Sequence, residues 1–342
     1  MPIFDHPEFD GHESVFFAQN REDGLRTIIA VHDTTLGPAL GGCRIWNYGD
    51  EAEALTDVLR LSRGMSLKAA LAGLPLGGGK SVILADSRRD KTPAMMRAMG
   101  RAVERLGGAY IVAEDVGASV ADMDEVAKET AHVAGTSAEA GDPSPWTAEG
   151  VFLAMQAAAR HRLGRELADL RICLLGLGHV GGRLAELLAG AGARLAIADI
   201  RAGAVAALAA RTGAEAIDPA GAHAAEADIF APCALGAGLH ARSIPEIRAS
   251  IVCGAANNQL ATPADDRRLA ERGILYCPDY LVNAGGLISV ARPKTTLTDE
   301  AARRKLAAIP DTLLEVFALA EREASAPGAA ADRLARARIA AA

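Results

Sequence analysis

The stretch "RICLLGLGHVGGRLAELLAGAG" starts as an apolar run and ends in a helical pattern, and Gly176-x-Gly178-x-x-Gly181 makes the turn between them. That junction leaves few folds open. An apolar run without alternation is a strand buried on both faces, as in a parallel sheet. A helix must then cross back before the next strand, "RLAIADI" at 194–200, pairs in parallel. The first glycine makes the turn, the second admits a pyrophosphate, and the third packs helix on strand. The helix N-terminus faces the phosphates. Asp199 ends the second strand, where a carboxylate accepts from ribose hydroxyls and repels a 2′-phosphate. This favours NAD over NADP, with Arg201 as a counterweight. His179, Val180 and Ile200 flank these positions and complete the expected cofactor loop. The alternative is a domain of the same shape that binds no cofactor.

At 342 residues the chain has the length for two domains. After the glycine turn the alternation continues with a helix over 202–211, strands in "ADIFAPC" and "SIVCGAAN", the helix "TPADDRRLAERG" and the strand "ILYCPDYLV". This predicts a doubly wound parallel α/β sheet. The first part reads as strands at 27–33, 80–86 and 109–116, with helices over most of 50–74, over 92–108 and over 119–130. Thr92 caps the second of these helices and Pro93 takes its first position. "GTSAEAGDPSPW" at 135–146 has no periodicity and reads as a hinge, with a helix from Thr147 to about His161 behind it. The expectation is an α/β protein of two domains. One comprises residues 1–135 plus C-terminal helices from about 320 to 342, and the other residues 146–319.

A net charge of −7 argues against a general nucleic-acid binder, and the basic "ADRLARARIA" near the end reads as a helix with a solvated face. The five cysteines form no CxxC and mostly sit in apolar runs, as buried thiols in a reducing compartment do. The eight histidines contain no HExxH, so no metal is expected. The N-terminus lacks an apolar signal core and no apolar stretch reaches membrane length, so a soluble, cytoplasmic protein is expected, without membrane or nucleic-acid partners.

"GLPLGGGKSVI" at 73–83 invites comparison with a phosphate-binding P-loop. That motif needs a glycine at position 74, which is leucine, and it opens a helix where this stretch leads into the strand "SVILAD". The glycines instead admit a close backbone approach by a ligand and start a strand with Lys80 directed into a cleft. An ordinary turn with a surface lysine is the plainer reading. Met65 and Lys68, three apart, share a face of the preceding helix. Glu114 and Asp115 close the strand "AYIVAED" at the end where open α/β sheets bind ligands. Two lysines and a carboxylate that converged there would supply a base and a carboxylate anchor. From the residues alone, three separate surface charges are the plainer reading.

Eight stretches appear in a familiar order: "GPALGGCRIW", "SRGMSLKAALAGLPLGGGKSVI", "AEDVG", "GDPSPWTAEGV", "GLGHVG", "DIFAPCALG", "GAANNQL" and "YLVNAGGLI". Over roughly residues 10–295 the chain resembles the glutamate/leucine/phenylalanine/valine dehydrogenases, most of all the leucine dehydrogenase branch. The resemblance implies interconversion of an L-amino acid, NAD⁺ and water with a 2-oxo acid, ammonium and NADH. It implies that Lys68 binds the substrate carboxylate, with Met65 and Gly41 beside it. Lys80 would activate the attacking water, and Asp115 would carry protons to and from the amine. Asn258 would fix the substrate, and Thr147, Cys233, Ala234, Ala255 and Asn257 would surround the nicotinamide end, in part through the "PCALG" loop. A cleft between the two domains, closing over the hinge, would exclude water. A homo-oligomer, at least a dimer, is implied as well.

By the same resemblance Leu40, Ala113, Leu287 and Val290 line the side-chain pocket. Four apolar groups disfavour glutamate, whose second carboxylate would lie unpaired. Leucine, isoleucine, valine and methionine differ by little there, and Leu287, bulkier than the valine expected, would shrink the pocket towards valine. Asp142 stands where the family often has Asn, Trp146 where a smaller residue is common, and the tail looks short. The leading expectation is oxidative deamination of branched-chain L-amino acids. The alternatives are an enzyme preferring phenylalanine or valine and a non-catalytic NAD-binding regulator.

Overall fold

A computed structural model describes residues 2–139, 141–234 and 236–342. They form two compact units. The first is Met1–Gly141 with Val290–Leu297 and Ala335–Ala342, and the second is Asp142–Ser289 with Thr298–Leu334. The change from one to the other falls inside the stretch expected to be a hinge, of which Ala140 lies outside the described residues. Residues 320–334, expected with the first domain, fall in the second unit. Side-chain bonds account for this: Asp266 accepts from the Ala329 amide at 3.0 Å and the Tyr280 hydroxyl donates to Asp332.

The first unit contains β1 (Ser14–Asn20), β2 (Leu25–Asp33), β3 (Ala39–Trp46), α1 (Glu51–Leu71), β4 (Gly77–Leu84), α2 (Pro93–Glu104), β5 (Tyr110–Glu114) and α3 (Val120–Val126). The sheet order is β1-β2-β4-β3-β5, antiparallel on the β1 side and parallel from β4 through β3 to β5. Sequence reading misses β1 and β3. "ALGGCRIW", to which sequence reading assigns no element, is a buried strand with the Gly-Gly at its centre. Helix starts are read correctly. Asp50 accepts from the Glu53 amide, Thr92 from the Met95 amide, and Ser119 forms a capping box with Asp122.

Alternation along the strands sorts the two faces. Ala39, Cys43, Ile45 and Ile83 join Met95, Met96 and Met99 of α2 in one core. Ile28, Ala30 and Val82 join Ala54, Val58 and Leu59 of α1 in the other. Both ends of the chain hold α1 in place. His12 Nε2 lies 3.0 Å from the Leu59 carbonyl and from Ser62 Oγ. Arg338 donates at 3.0 Å to the Leu71 carbonyl, a cation at a helix C-terminus.

The three glycines before Lys80 are the first residues of β4 and not a loop, and their neighbours are protein rather than ligand. A Cβ on Gly77 would lie 1.9 Å from the Asp33 carbonyl oxygen, on Gly78 2.0 Å from the Ser66 amide, and on Gly79 2.6 Å from the Tyr110 ring. The sheet, α1 and Tyr110 thus close on this strand from every side.

The second unit opens with α4 (Ser144–Leu163), followed by β6 (Arg171–Leu175), α5 (His179–Gly190), β7 (Arg194–Ala198), α6 (Ala202–Thr212), β8 (Glu215–Ala216), β9 (Ile229–Pro232), β10 (Ile251–Val252), α7 (Ala264–Glu271) and β11 (Leu275–Tyr276). Then come α8 (Asp279–Val282), α9 (Gly285–Ala291), α10 (Asp299–Ala307), α11 (Ile309–Arg322) and α12 (Pro327–Ala340), of which the ends of α9 and α12 count with the first unit. All six strands are parallel, in the order β11-β10-β9-β6-β7-β8. The chain therefore starts in mid-sheet, winds to one edge, returns and winds to the other, as expected for a doubly wound dinucleotide fold. "DYLV", expected to continue a strand, is helix α8, because Pro278 ends β-pairing and opens the turn. Among the described residues no helix is long and apolar enough to cross a membrane.

Replacing Gly78 with Ala is expected to lower stability by about 1–3 kcal/mol, the usual cost of overpacking, read as a lower urea midpoint with an unchanged slope.

Candidate active site

Register brings the first group of candidates together. Leu40 pairs with Gly78, Ala30 with Lys80, and Gly42 with Ala113. Leu40, Gly42, Arg44, Gly78, Lys80 and Ala113 therefore share the face that α1 covers. Gly42 is required there, since a Cβ on it would lie 2.6 Å from the Asp115 Cβ. Asp115 follows the last residue of β5, at the C-terminal edge of the parallel strands.

Lys80 is 6% exposed, and its Nζ lies 2.9 Å from Asp115 Oδ2. Arg44 Nε donates to the same oxygen at 3.0 Å. Burial pushes the Asp115 carboxyl up, but Lys80 and Arg44 together outweigh it and hold the group below the usual carboxylate range. Arg44 is anchored on its other edge, where Nη1 donates at 2.8 Å to Asp57 Oδ2 and the Tyr48 hydroxyl donates to that oxygen, also at 2.8 Å. Met65 and Lys68 are half-buried beside Ser66, on the segment of α1 that touches Gly78. Gly41 is closed in: a Cβ on it would lie 1.7 Å from the Gly79 carbonyl oxygen, and its own carbonyl accepts from the Tyr110 hydroxyl at 2.7 Å. Leu287 and Val290 stand three apart on α9, the first in the second unit and the second counted with the first.

The second group surrounds the glycine turn. Gly176 has φ +102, and a Cβ there would lie 2.5 Å from the Ala234 amide. A Cβ on Gly181 would lie 2.0 Å from the Gly176 carbonyl oxygen and 3.1 Å from the Cys233 Cβ. Gly178 has open space where its side chain would be, at the N-cap of α5 before His179 and Val180. A tight turn, a bare approach and a helix N-terminus are what a pyrophosphate requires, so these residues fit a dinucleotide. Cys233 also accepts from the Ala255 amide at 3.4 Å, and burial pushes its thiol up to about 12, so it stays protonated. Leu235 of the same loop lies outside the described residues.

Asp199 is tied up on both oxygens. Oδ2 accepts from the Leu177 amide of the glycine turn at 2.7 Å, and Arg201 donates to Oδ1 through its amide at 2.8 Å and Nε at 3.0 Å. Chiefly through Arg201, the carboxyl falls to about 2. Ile200 is 92% exposed beside it. Thr147 lies in the first turn of α4 against Gly286, whose Cβ would come 2.6 Å from its Oγ1. Trp146, whose role the sequence leaves open, is buried within the second unit, with the Arg303 guanidinium 3.9 Å above its ring.

Sequence reading misses three residues. Arg44 and Asp57 bracket the Asp115 pair, and the signal for Arg44 was its place two residues after Gly42, visible once β3 is read as a strand. The third is Asn283 of "YLVNAGG". Its Nδ2 donates to the Ala255 carbonyl at 3.2 Å and to Asn257 Oδ1 at 2.9 Å, while its buried Oδ1 has no partner among the described residues. Asn258 adopts φ +52, and its carbonyl accepts from the Ala237 amide at 2.7 Å.

Residues 12–132 match the Glu/Leu/Phe/Val dehydrogenase dimerisation domain, and residues 195–342 match the Glutamate/Leucine/Phenylalanine/Valine dehydrogenase domain. The chain belongs to the Glu/Leu/Phe/Val dehydrogenase family. This dehydrogenase is 47% identical over 343 residues to leucine dehydrogenase of Geobacillus stearothermophilus, covering 99% of this chain and 94% of that protein. It is 46% identical over 342 residues to valine dehydrogenase of Streptomyces albus, covering 98% and 94%. Its fold matches the crystal structure of L-tryptophan dehydrogenase from Nostoc punctiforme with a TM-score of 0.85 at 41% identity, over 96% of each chain.

Because the folded-state pKa of Asp115 is depressed, its contribution to stability is present above the unfolded value of about 4 and is lost as pH falls through the folded value. Asp115→Asn should cost roughly 2 kcal/mol at pH 7, below the range for a fully buried pair because Asp115 is partly exposed. Thermal midpoints from pH 7 to 2 are expected to fall less steeply with pH in the variant than in the wild type.

Proposed function

We propose that this protein is an NAD-dependent L-amino-acid dehydrogenase that converts branched-chain L-amino acids, reversibly, to 2-oxo acids and ammonium. The observation that carries the reading is the Lys80–Asp115 pair, 2.9 Å apart and largely buried, in a chain of this family. A buried cation and an ionised carboxylate sharing one contact form a proton-transfer pair.

NAD⁺, when bound, takes a hydride from the substrate α-carbon, and the amino acid becomes an imine. Lys68 holds the substrate carboxylate, fixing which face of the α-carbon is presented. Asp115, ionised at neutral pH, accepts a proton from the substrate ammonium. Lys80, once its own ammonium proton has passed to solvent, orients a water and takes a proton from it as the oxygen bonds to the imine carbon. Asp115 returns its proton to the nitrogen of that adduct, the C–N bond breaks, and the hydroxyl proton passes to the departing ammonia, which leaves the carbonyl of the 2-oxo acid and an ammonium ion. Amino acid, NAD⁺ and water thus become 2-oxo acid, ammonium, NADH and one proton.

In the second unit, Gly176, Gly178, His179, Val180 and Gly181 hold the pyrophosphate, and Asp199 holds the ribose with Ile200 against the adenine. Thr147, Cys233, Ala234, Ala255 and Asn257 hold the nicotinamide end, Asn283 orients Asn257, and Asn258 contacts the substrate. Leu40, Ala113, Leu287 and Val290 meet the side chain, and their apolar character disfavours a second carboxylate. A cytoplasmic homo-oligomer is part of the proposal, supported by the match to a dimerisation domain.

The test is NAD reduction at alkaline pH with L-leucine, L-valine, L-isoleucine, L-methionine, L-phenylalanine, L-tryptophan and L-glutamate. Branched-chain turnover is expected to lead; turnover led by the aromatic substrates would overturn the substrate assignment. Lys80→Ala should reduce kcat by about 10²–10⁴-fold, the range for a lost general base, with NADH binding retained by fluorescence titration. For the cofactor, Asp199→Ala should lower the NAD-over-NADP ratio of kcat/KM about tenfold, the worth of one charged hydrogen bond. Arg201→Ala, which removes the counter-charge, should raise it.

A further inference from the structure

Asp115 is approached by two cations that differ in kind. Lys80 is an ammonium whose proton takes part in the proposed reaction. Arg44 is a guanidinium that stays charged throughout, since arginine is not deprotonated in proteins. Both point at one oxygen, Oδ2, from 2.9 Å and 3.0 Å. Arg44 is fixed from behind. Its Nη1 is 2.8 Å from Asp57 Oδ2, and Asp57 is held in turn by the Tyr48 hydroxyl at 2.8 Å and by Arg60 Nη2 at 3.1 Å. Two edges of one planar fork thus bind two carboxylates, a geometry a lysine cannot copy.

We propose that Arg44 is a positioning residue of the reaction, which fixes the Asp115 carboxylate and keeps it ionised while Lys80 gives up and regains its proton. The proposal rests on the reading of Asp115 as a proton carrier. When Lys80 turns neutral, Asp115 loses one of its two compensating charges in a buried site. Without Arg44 the carboxylate would then retain a proton taken from the amine and would no longer release it to the departing nitrogen. Lys80 and Arg44 are the two cations that lower the Asp115 carboxyl, and the following groups around it are neutral, paired or anionic. Cys43 on β3 is buried and its thiol is pushed up to about 12, so it is neutral. Tyr110 on β5 bonds to Gly41 and Ser81 beneath the sheet, Asp122 of α3 is paired with Lys91 at 2.6 Å, and Asp57 of α1 faces Arg44. Glu114, next to Asp115, is exposed and adds negative charge.

The test is the pH dependence of kcat with L-leucine and NAD⁺ in wild type, Arg44→Gln, Arg44→Lys, Asp57→Asn and Asp115→Asn. Arg44→Gln should move the acidic limb up by about one pH unit or more, the effect of removing a neighbouring opposite charge, and cut kcat at least tenfold at neutral pH. Arg44→Lys should return the limb towards wild type and recover only part of kcat. Asp57→Asn, which leaves the Arg44 charge but removes the anion that fixes it, should lower kcat without moving the limb up. Should Arg44→Gln fail to fold, Arg44→Lys and Asp57→Asn decide; wild-type kcat in both overturns the proposal. An unmoved limb in Arg44→Gln, with Asp115→Asn inactive, overturns it as well. Full activity in Asp115→Asn would instead overturn the reading of Asp115 itself, and the proposal with it.

Discussion

Gly78 stands so close to α1 that a Cβ on it would lie 2.0 Å from the Ser66 amide, and this contact sets the rest of the first unit. It brings the helix down onto β4 and places the segment bearing Met65 and Lys68 beside that strand. It also determines which face Lys80 occupies, because side chains two apart on a strand point the same way. Gly77 and Gly79 extend the same constraint to β2 and to Tyr110, so the strand can neither slip nor rotate. A one-residue slip would turn Lys80 into the methionine-rich core beneath α2.

Burying charge at this point is costly unless each charge is matched. The structure answers with a line of alternating sign: Lys80, Asp115, Arg44, Asp57, and then Tyr48 and Arg60. Such a line orients its members more than it stabilises the fold, since desolvation offsets much of the attraction. Orientation is what proton transfer needs. Lys80 holds the position next to the open end of β5, while Arg44 is held from both sides and acts as a fixed charge.

The second unit solves a different problem with the same means. Its glycine turn has to stay tight without side chains to hold it, and the Asp199 carboxylate does so by accepting from the Leu177 amide. Arg201 neutralises that carboxylate, so one ion pair supports the turn. Asn283 plays a comparable part on the far side, joining the Ala255 carbonyl to Asn257 from the start of the α8–α9 connection.

Local chemistry determined a good deal from the sequence alone. The strand–glycine–helix junction, the cap at Thr92 and the alternation after Arg171 are all encoded in neighbouring residues, so they could be read directly. Lys80 and Asp115 were singled out by type and by the motifs around them, while their contact was not legible. Tertiary structure alone decided that "ALGGCRIW" is a buried strand, because its glycines answer to Gly79 and Asp115, residues distant in the chain. The same holds for Arg44, which bonds to Asp115 and Asp57, and for residues 320–334, which Asp266 and Tyr280 hold in the second unit. A close approach between distant segments has no local signature. A glycine that makes room for a neighbour reads the same as one that makes a turn, until the neighbour is in place.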